Sequence, residues 1–408
     1  MTTTTTAYDA VASACDDVRE GGPDDAVDGV PVGAVARPAS TEQVAEVVRA
    51  AAARGLTVVP RGRGTKLTWA LPPTSADVVV DLSAMDRVLD HAAGDLIVEA
   101  QAGTRLADVQ ATVGGAGQRL VLDETVRGAS IGGTLATNAS GPQRMLVGTA
   151  RDLLIGITVV RADGVVARAG GRVVKNVAGY DLGKLMIGSY GTLAVVTEAL
   201  FRLHPVPAVQ RWVSVPVDTP DRAHQLAQAV VHGQTVPGAL EVDWPAGGTG
   251  TLTVQYGGNP DGVEGRVATA LSLLGAEAVV ADETPAGWAS YPWGAGETGV
   301  KLTFVLSGLR DVIEAAHEVG ATVRGSAGTG VVHAALTDPA GLDVLRAVCG
   351  RHGGSAVVVD APAEVKRSVD VWGPVPGLDL MRRVKDQFDA EHRLAPGRFV
   401  VSERRDLG

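Results

Sequence analysis

A chain of 408 residues with 45% hydrophobic content is long enough to bury a core in each of two or three domains. Its net charge of -10 argues against nucleic acid as the main ligand, because neutralising phosphates takes a concentrated basic surface. The only thiols, Cys15 and Cys349, with no C-x-x-C pair, cannot supply an iron-sulfur centre, a structural zinc or a disulfide framework, so any metal-based electron carrier must sit on a partner.

The first ten residues are neither basic nor apolar, and no apolar run approaches the roughly 18 residues of a membrane span, which predicts a soluble, cytoplasmic protein. Residues 1–30 read as an acidic N-terminal extension. Ser40 to Arg54 reads as a helix: Ser40 and Gln43 make a capping-box pair, Val44, Val47, Val48 and Ala51 form one apolar stripe, and Gly55 stops it. Leu56 to Pro60 then reads as a buried strand. Strands at 77–82 and 95–100, a helix at 104–113 and a strand at 119–122 follow. A hairpin is predicted from 155–161 and 164–169, and a long strand over 193–202 ends before Pro205 and Pro207, where a domain boundary is placed.

Beyond Pro207 the order strand, helix, strand, strand, helix, strand occurs twice, over 212–281 and again over 301–360. Two ferredoxin-like halves sharing one antiparallel sheet, with helices on one face, account for the repeat. A last helix is predicted over 380–391, before Pro396-Gly397-Arg398-Phe399. The fold class is α+β, divided as residues 1–30, 31–207, 208–370 and 371–408.

Two glycine-rich stretches carry the chemistry. Pro60-Arg61-Gly62-Arg63-Gly64-Thr65-Lys66 follows a buried strand, and only glycine lets a backbone approach a pyrophosphate closely with positive φ. The second runs from Gly128 through Ala129, Ser130, Ile131, Gly132, Gly133, Thr134, Asn138 and Ser140 to Gly141, with hydroxyl and amide side chains as further donors. Gly62-Arg63-Gly64 lacks the third glycine and following helix of a dinucleotide fingerprint, and no GxxxxGK[ST] occurs, so NAD and ATP fit poorly. Tight turns in a glycine-rich chain remain the bland alternative.

A third stretch narrows the choice. Gly170 to Leu185, with Lys175, Gly179, Tyr180 and Asp181, then Gly188-Ser189-Tyr190-Gly191-Thr192-Leu193-Ala194-Val195-Val196, resembles the FAD domain of the vanillyl-alcohol oxidase/PCMH flavoprotein superfamily. The likeness runs from about Pro31 to Pro207 and resumes at Val371 to Pro374 and Lys385 to Phe399, where Leu394-Ala395-Pro396-Gly397-Arg398 is similar to the closing motif of the glycolate oxidase branch. The resemblance implies a two-lobed PCMH-type FAD-binding domain with the pyrophosphate between the two loops, adenine near the backbone of the Gly188 to Thr197 stretch, with Gly191, Thr192, Val195 and Val196 as cofactor-binding residues, and the isoalloxazine facing a ferredoxin-like cap. The first loop has no His or Cys, so the FAD is expected to be noncovalent.

Hydroxyacid-oxidising members of that superfamily typically carry G-D-G-N-x-H, a metal-holding segment. The matching stretch is Gly328-Thr329-Gly330-Val331-Val332-His333, which keeps only the histidine. The departure points to the smaller FAD-binding subunit of the bacterial glycolate oxidase complex, working beside a larger catalytic flavin subunit and an iron-sulfur subunit, with any membrane association peripheral and through those partners. Two other readings stay open: a self-sufficient FAD-dependent dehydrogenase of glycolate or D-lactate, with Trp288, Trp293, Trp372 or Arg398 lining a substrate pocket, and a nonenzymatic assembly subunit. Tyr190 stands where that family often has Glu or Leu. The segment from Gly287 to Gly299 reads only as loop or partner surface.

Overall fold

The computed structural model describes residues 2–172 and 181–399. Its first lobe is a four-stranded sheet in which Val32–Ala36, Ala76–Asp81 and Val58–Arg61 run parallel and Val18–Glu20 adds an antiparallel edge. Parallel strands are covered on both faces, which is why these read as nearly unbroken apolar runs. The covering helix is Thr41–Ala52. Ser40 Oγ accepts from Gln43 N at 3.3 Å, while Gln43 Oε1 accepts from Ala39 N at 2.8 Å, and Val44, Val47, Val48 and Ala51 are buried as the periodicity predicts.

The second lobe is a five-stranded antiparallel sheet ordered Val88–Ala92, Ile97–Gln101, Val195–Arg202, Leu154–Val160, Val166–Gly170. The 155–169 hairpin is present. The strand expected at 119–122 shrinks to Gln118–Arg119, paired with His204–Pro205. One apolar core joins both lobes through Val44, Val98, Ile131 and Phe201.

Residues 209–360 build an eight-stranded antiparallel sheet. Its order places Val279–Ala281, Val209–Val217, Gly250–Gly258 and Ala239–Trp244 in one half, and Thr322–Ser326, Val331–Leu336, Thr298–Thr303 and Ala356–Asp360 in the other. Each half has the ferredoxin-like strand order, and the two meet where Ala239–Trp244 pairs with Thr322–Ser326. Helices Pro220–His232 and Pro260–Leu274 both open with a side-chain cap followed by proline: Thr219 Oγ1 accepts from Arg222 N at 3.2 Å, and Asn259 Oδ1 from Gly262 N at 2.7 Å. With Leu309–Glu318 and Leu342–Arg351 they cover one face, burying Leu240, Val242, Leu252, Val254, Val300, Leu302, Val323 and Val332.

The tail returns to the first lobe. Val58 N donates to Arg393 O and Ala395 N to Val58 O, so Leu394 pairs parallel with Val58. Helix Leu378–Phe388 carries Lys385, wholly buried, whose Nζ donates to Thr192 O (2.6 Å), Asp389 Oδ2 (2.6 Å) and Leu394 O (3.2 Å). That one ammonium ties the tail to the Gly191-Thr192 turn.

Candidate functional site

Strand Val58–Arg61 ends at the sheet edge and releases the chain into Gly62 to Lys66. The backbone N–H groups of Gly62, Arg63, Gly64, Thr65 and Lys66 find no acceptor among the described residues, and these residues wall a cleft with Ser130, Gly133, Ala136, Thr137, Tyr190 and Arg398. Unspent backbone donors beside a cleft are groups able to hold an anion. Gly64 takes φ +75°, and a Cβ on Gly62 would stand 2.2 Å from Ser130 Oγ, so both glycines are sterically required. Gly191, at φ +74° against the Pro60 ring, lines with Gly132 and Val196 a small pocket that shares Pro60, Gly62, Gly133, Ala136 and Tyr190 with the cleft.

The second glycine stretch is not the loop the sequence predicts. Ile131–Thr137 is a short helix, with Ser130 Oγ accepting from Gly133 N and Asn138 ending it at φ 49°. Its donors are consumed within the protein: Ile131 N by Thr104 O, Gly132 N by Ala102 O, Gly133 N by Ser130 Oγ, Thr134 N by Ser130 O. Gly132 lies so close to Ala102 that a Cβ would come within 2.9 Å of the Ala102 Cβ. This stretch therefore forms a wall by close packing with its donors spent, while those of the first loop are left free of protein acceptors.

The remaining predicted residues divide clearly. Arg61 is committed to Asp81 (2.8 Å) and Asp25 (3.4 Å), and Arg63 to Gly103 O (2.9 Å) and Asp86 (3.2 Å), so these guanidinium groups hold the loop in place. Arg398 donates to Leu67 O (2.9 Å) and Trp69 O (2.7 Å) from a buried position on the cleft wall. Asn138 and Ser140 face the next cavity, and Gly141 the one after it. Ala129, Ile131, Thr134, Thr192 and Val195 are buried packing, Gly128 N is held by Glu124, and Asp181 caps the exposed turn at Lys184. Lys175, Gly179 and Tyr180 lie outside the described residues.

Lys66 is the cation left to the cleft. Burial pushes its ammonium down to about 8, partly offset by Glu124, and its nearest hydrogen-bond partner is Thr65 Oγ1 at 3.5 Å. A bound phosphate favours the charged form. Affinity for a phosphate-bearing ligand is therefore expected to fall about tenfold between pH 7 and pH 9, as the free protein loses this proton, and Lys66→Met should bind more weakly with a flat profile. Titrations at the two pH values measure both effects.

Tyr190 joins the cleft to a second cavity of about 240 Å³. Its walls are aromatic: Trp69, Tyr190, Tyr291 and Trp372, with Trp69 edge-on to Tyr291 at 5.3 Å and Tyr190 edge-on to Trp372 at 5.7 Å. Its floor is the uncovered face of the eight-stranded sheet, where Lys301, Thr303, His333, Ser355 and Val357 stand. His333 lies under the Tyr291 ring (4.7 Å) and near Trp293 (5.8 Å), and burial beside Lys301 and Arg144 holds its imidazole well below its usual range, hence neutral. Burial brings Lys301 down to about 8, Arg144 adding to the effect. Among the described residues no group of three His, Cys, Asp or Glu side chains is placed to hold a metal ion.

A third cavity of about 190 Å³ adjoins the second and shares Ser140, Arg144, Tyr291 and His333 with it. It lies beneath residues 282–297, which connect two strands separated by five others and so must cross the sheet. Trp288 packs edge-on to Trp212 at 6.3 Å, Arg324 holds Ser290 Oγ (2.9 Å) and Asp243 (2.9 Å), and Tyr291 Oη lies 3.2 Å from Thr125 Oγ1. The segment left as loop or partner surface is thus a strap walling both cavities. Lys301 and Glu241 carried no sequence signal beyond polar residues alternating with core positions, and Arg144, at the start of the Arg144–Val147 helix, stood out only as one of the cations near the second glycine stretch.

A two-lobed domain with a glycine cradle opening onto an aromatic cavity under a capping sheet has the architecture of a flavoprotein, and the cradle's free N–H groups and obligatory glycines fit the pyrophosphate of FAD. Residues 32–170 match the family described as FAD binding domain, and this part of the chain is an FAD-binding domain of the PCMH type, with FAD as its cofactor. The chain is 32% identical over 209 residues to the Bacillus subtilis glycolate oxidase subunit GlcD, covering 51% of this chain and 44% of that protein. It is 32% identical over 173 residues to the Escherichia coli glycolate oxidase subunit GlcE, covering 42% and 47%. The chain thus spans less than half the length of either relative. A solved alkyldihydroxyacetonephosphate synthase superposes with TM-score 0.69 over 90% of this chain and 76% of that one at 16% identity, a likeness of fold.

Proposed function

We propose that this chain is the FAD-carrying subunit of a 2-hydroxy-acid oxidising complex of the glycolate oxidase kind, an oxidoreductase of CH–OH groups that works beside a catalytic flavin subunit and an iron-sulfur subunit. FAD would lie noncovalently with its pyrophosphate against Gly62 to Lys66, its adenine toward Gly191 and Val196, and its ring between Trp69, Tyr190 and Trp372. Bound there, the flavin supplies one- and two-electron redox chemistry. The observation that carries the accessory role is the setting of His333, a neutral imidazole under Tyr291 and Trp293 with no companion ligands in metal-holding geometry among the described residues. No helix of the described residues is long and apolar enough to cross a membrane, so attachment to one would come through the partners. The test is anaerobic mixing of the FAD-loaded chain with glycolate or D-lactate. The flavin should stay oxidised until the partner subunits are added, and full-rate bleaching by the chain alone would overturn the accessory role.

One observation favours a second reading, in which this chain binds the hydroxy acid itself. Arg144 and Lys301 border the aromatic cavity with no carboxylate in ion-pair contact among the described residues, and two such cations suit a ligand carboxylate. If this reading holds, glycolate should perturb the flavin spectrum, and Arg144→Ala should weaken it at least about tenfold, the scale of one charge-assisted hydrogen bond.

A further inference from the structure

The face of the eight-stranded sheet turned away from its helices carries two polar rows. Ser214, Thr253, Glu241 and Ser326 stand opposite one another across four neighbouring strands, and the row continues through Val331 to Thr303. Two residues further along each strand, Thr251, Asp243, Arg324, His333, Lys301 and Val357 form the second row. Side chains two apart share a face, so both rows look into the adjoining cavities.

Partners within the rows are unequal. Asp243 and Arg324 satisfy each other at 2.9 Å, and Ser214 Oγ and Thr253 Oγ1 lie 2.9 Å apart. Glu241 Oε1 and Ser326 Oγ, by contrast, are buried with no hydrogen-bond partner in the protein, and Ser326 is only 2% exposed. The two stand side by side on the cavity floor, where Ser326 acts on the Glu241 carboxyl and both keep capacity for a ligand's polar atoms. Burial, and then the charge of Asp123, raise the Glu241 carboxyl well above its usual range, while the Ser326 hydroxyl and Arg144 act in the opposite direction. Arg144 stands on the wall shared by both cavities.

We propose that Glu241, with Ser326, sets ligand specificity in this cavity, admitting small 2-hydroxy monocarboxylates, including those with a hydroxyl at the far end, and rejecting those with a second carboxylate. The inference rests on the reading that Arg144 and Lys301 hold the first carboxylate. A ligand extending from there over the first polar row brings its far end to Glu241. A hydroxyl there meets the Glu241 carboxyl and the Ser326 hydroxyl as hydrogen-bond partners. A second carboxylate would be desolvated beside Glu241 and meets its charge whenever that carboxyl is ionised, while Arg324 is held by Asp243 and Arg144 is already engaged, and like charges so placed are strongly disfavoured.

The test is titration of the FAD-loaded chain at pH 8 with glycolate, D-glycerate and D-2-hydroxyglutarate, followed by flavin absorbance. Wild-type protein should bind the two monocarboxylates at least tenfold more tightly than D-2-hydroxyglutarate. Glu241→Gln should improve D-2-hydroxyglutarate at least tenfold while changing glycolate less than threefold. Ser326→Ala, which leaves Glu241 in place, should weaken D-glycerate relative to glycolate by threefold or more. Unchanged ratios in both variants, with glycolate still binding, overturn this inference alone. Failure of every acid to bind the wild-type chain overturns the carboxylate reading and this inference with it.

Discussion

Gly62→Ala is expected to weaken FAD binding by at least about tenfold. The added Cβ would sit 2.2 Å from Ser130 Oγ and 3.2 Å from Ser130 Cβ, so either Ser130 swings its hydroxyl off Gly133 N and uncaps the Ile131–Thr137 helix, or the cradle loop moves away. Movement of the loop misdirects the five free N–H groups from Gly62 to Lys66, each worth about 1.5 to 3 kcal/mol toward a charged phosphate. The effect on the cofactor can be separated from damage to the fold. Glycine is tolerated as a helix cap at a cost of a few tenths of a kcal/mol, so Ser130→Gly in the same chain removes the clash and should restore most of the affinity. Equilibrium titration of FAD into the single and double variants measures this, and a single variant that binds like wild type would show that the cleft is not the pyrophosphate site.

Lys385→Met is expected to cost about 3 to 5 kcal/mol of stability, because it leaves the carboxylate of Asp389 buried without its counter-charge. Asp389 is itself wholly buried and also accepts from Arg393 N (3.0 Å) and Leu394 N (2.7 Å), so it cannot turn out to solvent without breaking the strand that pairs with Val58. The same substitution frees Thr192 O and loosens the turn that holds Gly191 against Pro60. Thermal melting should show a fall of roughly 5 to 15 °C, the scale such a loss produces. FAD should recover part of that loss by binding only the folded chain. A shift below about 2 °C would mean that the tail does not brace the cofactor domain.

The sheet of the second half was legible because its two repeats follow the same order of strand and helix, and because period-two apolar residues in Leu240, Val242 and Trp244 or Leu252, Val254 and Tyr256 mark a face that helices cover. The first loop was legible because Gly62 and Gly64 follow a buried strand and meet a steric need that only glycine fills. The helix at Ile131–Thr137 was hidden by Gly132-Gly133, poor helix formers, of which Gly132 is kept there by the approach of Ala102. Propensity pointed to a loop, and packing decided otherwise.

The cavity floor was only half visible. Glu241, Asp243, Arg324, Lys301 and His333 alternate with core residues, yet alternation alone leaves open whether such a face meets solvent or another domain. That is set by the strap over 282–297 and by the way Trp69, Ala70 and Arg398 bring the cofactor lobe against the edge strand at Val359 and Asp360. Arg61 and Arg63 erred in the other direction. Their charge beside glycines suggests anion contacts, and it is the carboxylates of Asp25, Asp81 and Asp86, distant in sequence, that take up these cations. Lys66 remains facing the cleft because its one acidic neighbour, Glu124, acts on it only through space.

The most direct test of the cradle is to titrate the flavin-free chain and its Gly62→Ala variant with FAD and with riboflavin, which shares the ring but lacks both the pyrophosphate and the adenosine, reading the quenching of flavin fluorescence by the aromatic cavity; the variant should lose affinity for FAD and not for riboflavin. Two charge-assisted hydrogen bonds suffice for about a hundredfold preference, so FAD should bind at least that much more tightly than riboflavin. Equal binding of the two, within about threefold, would contradict the assignment of Gly62 to Lys66 as the site that holds the cofactor.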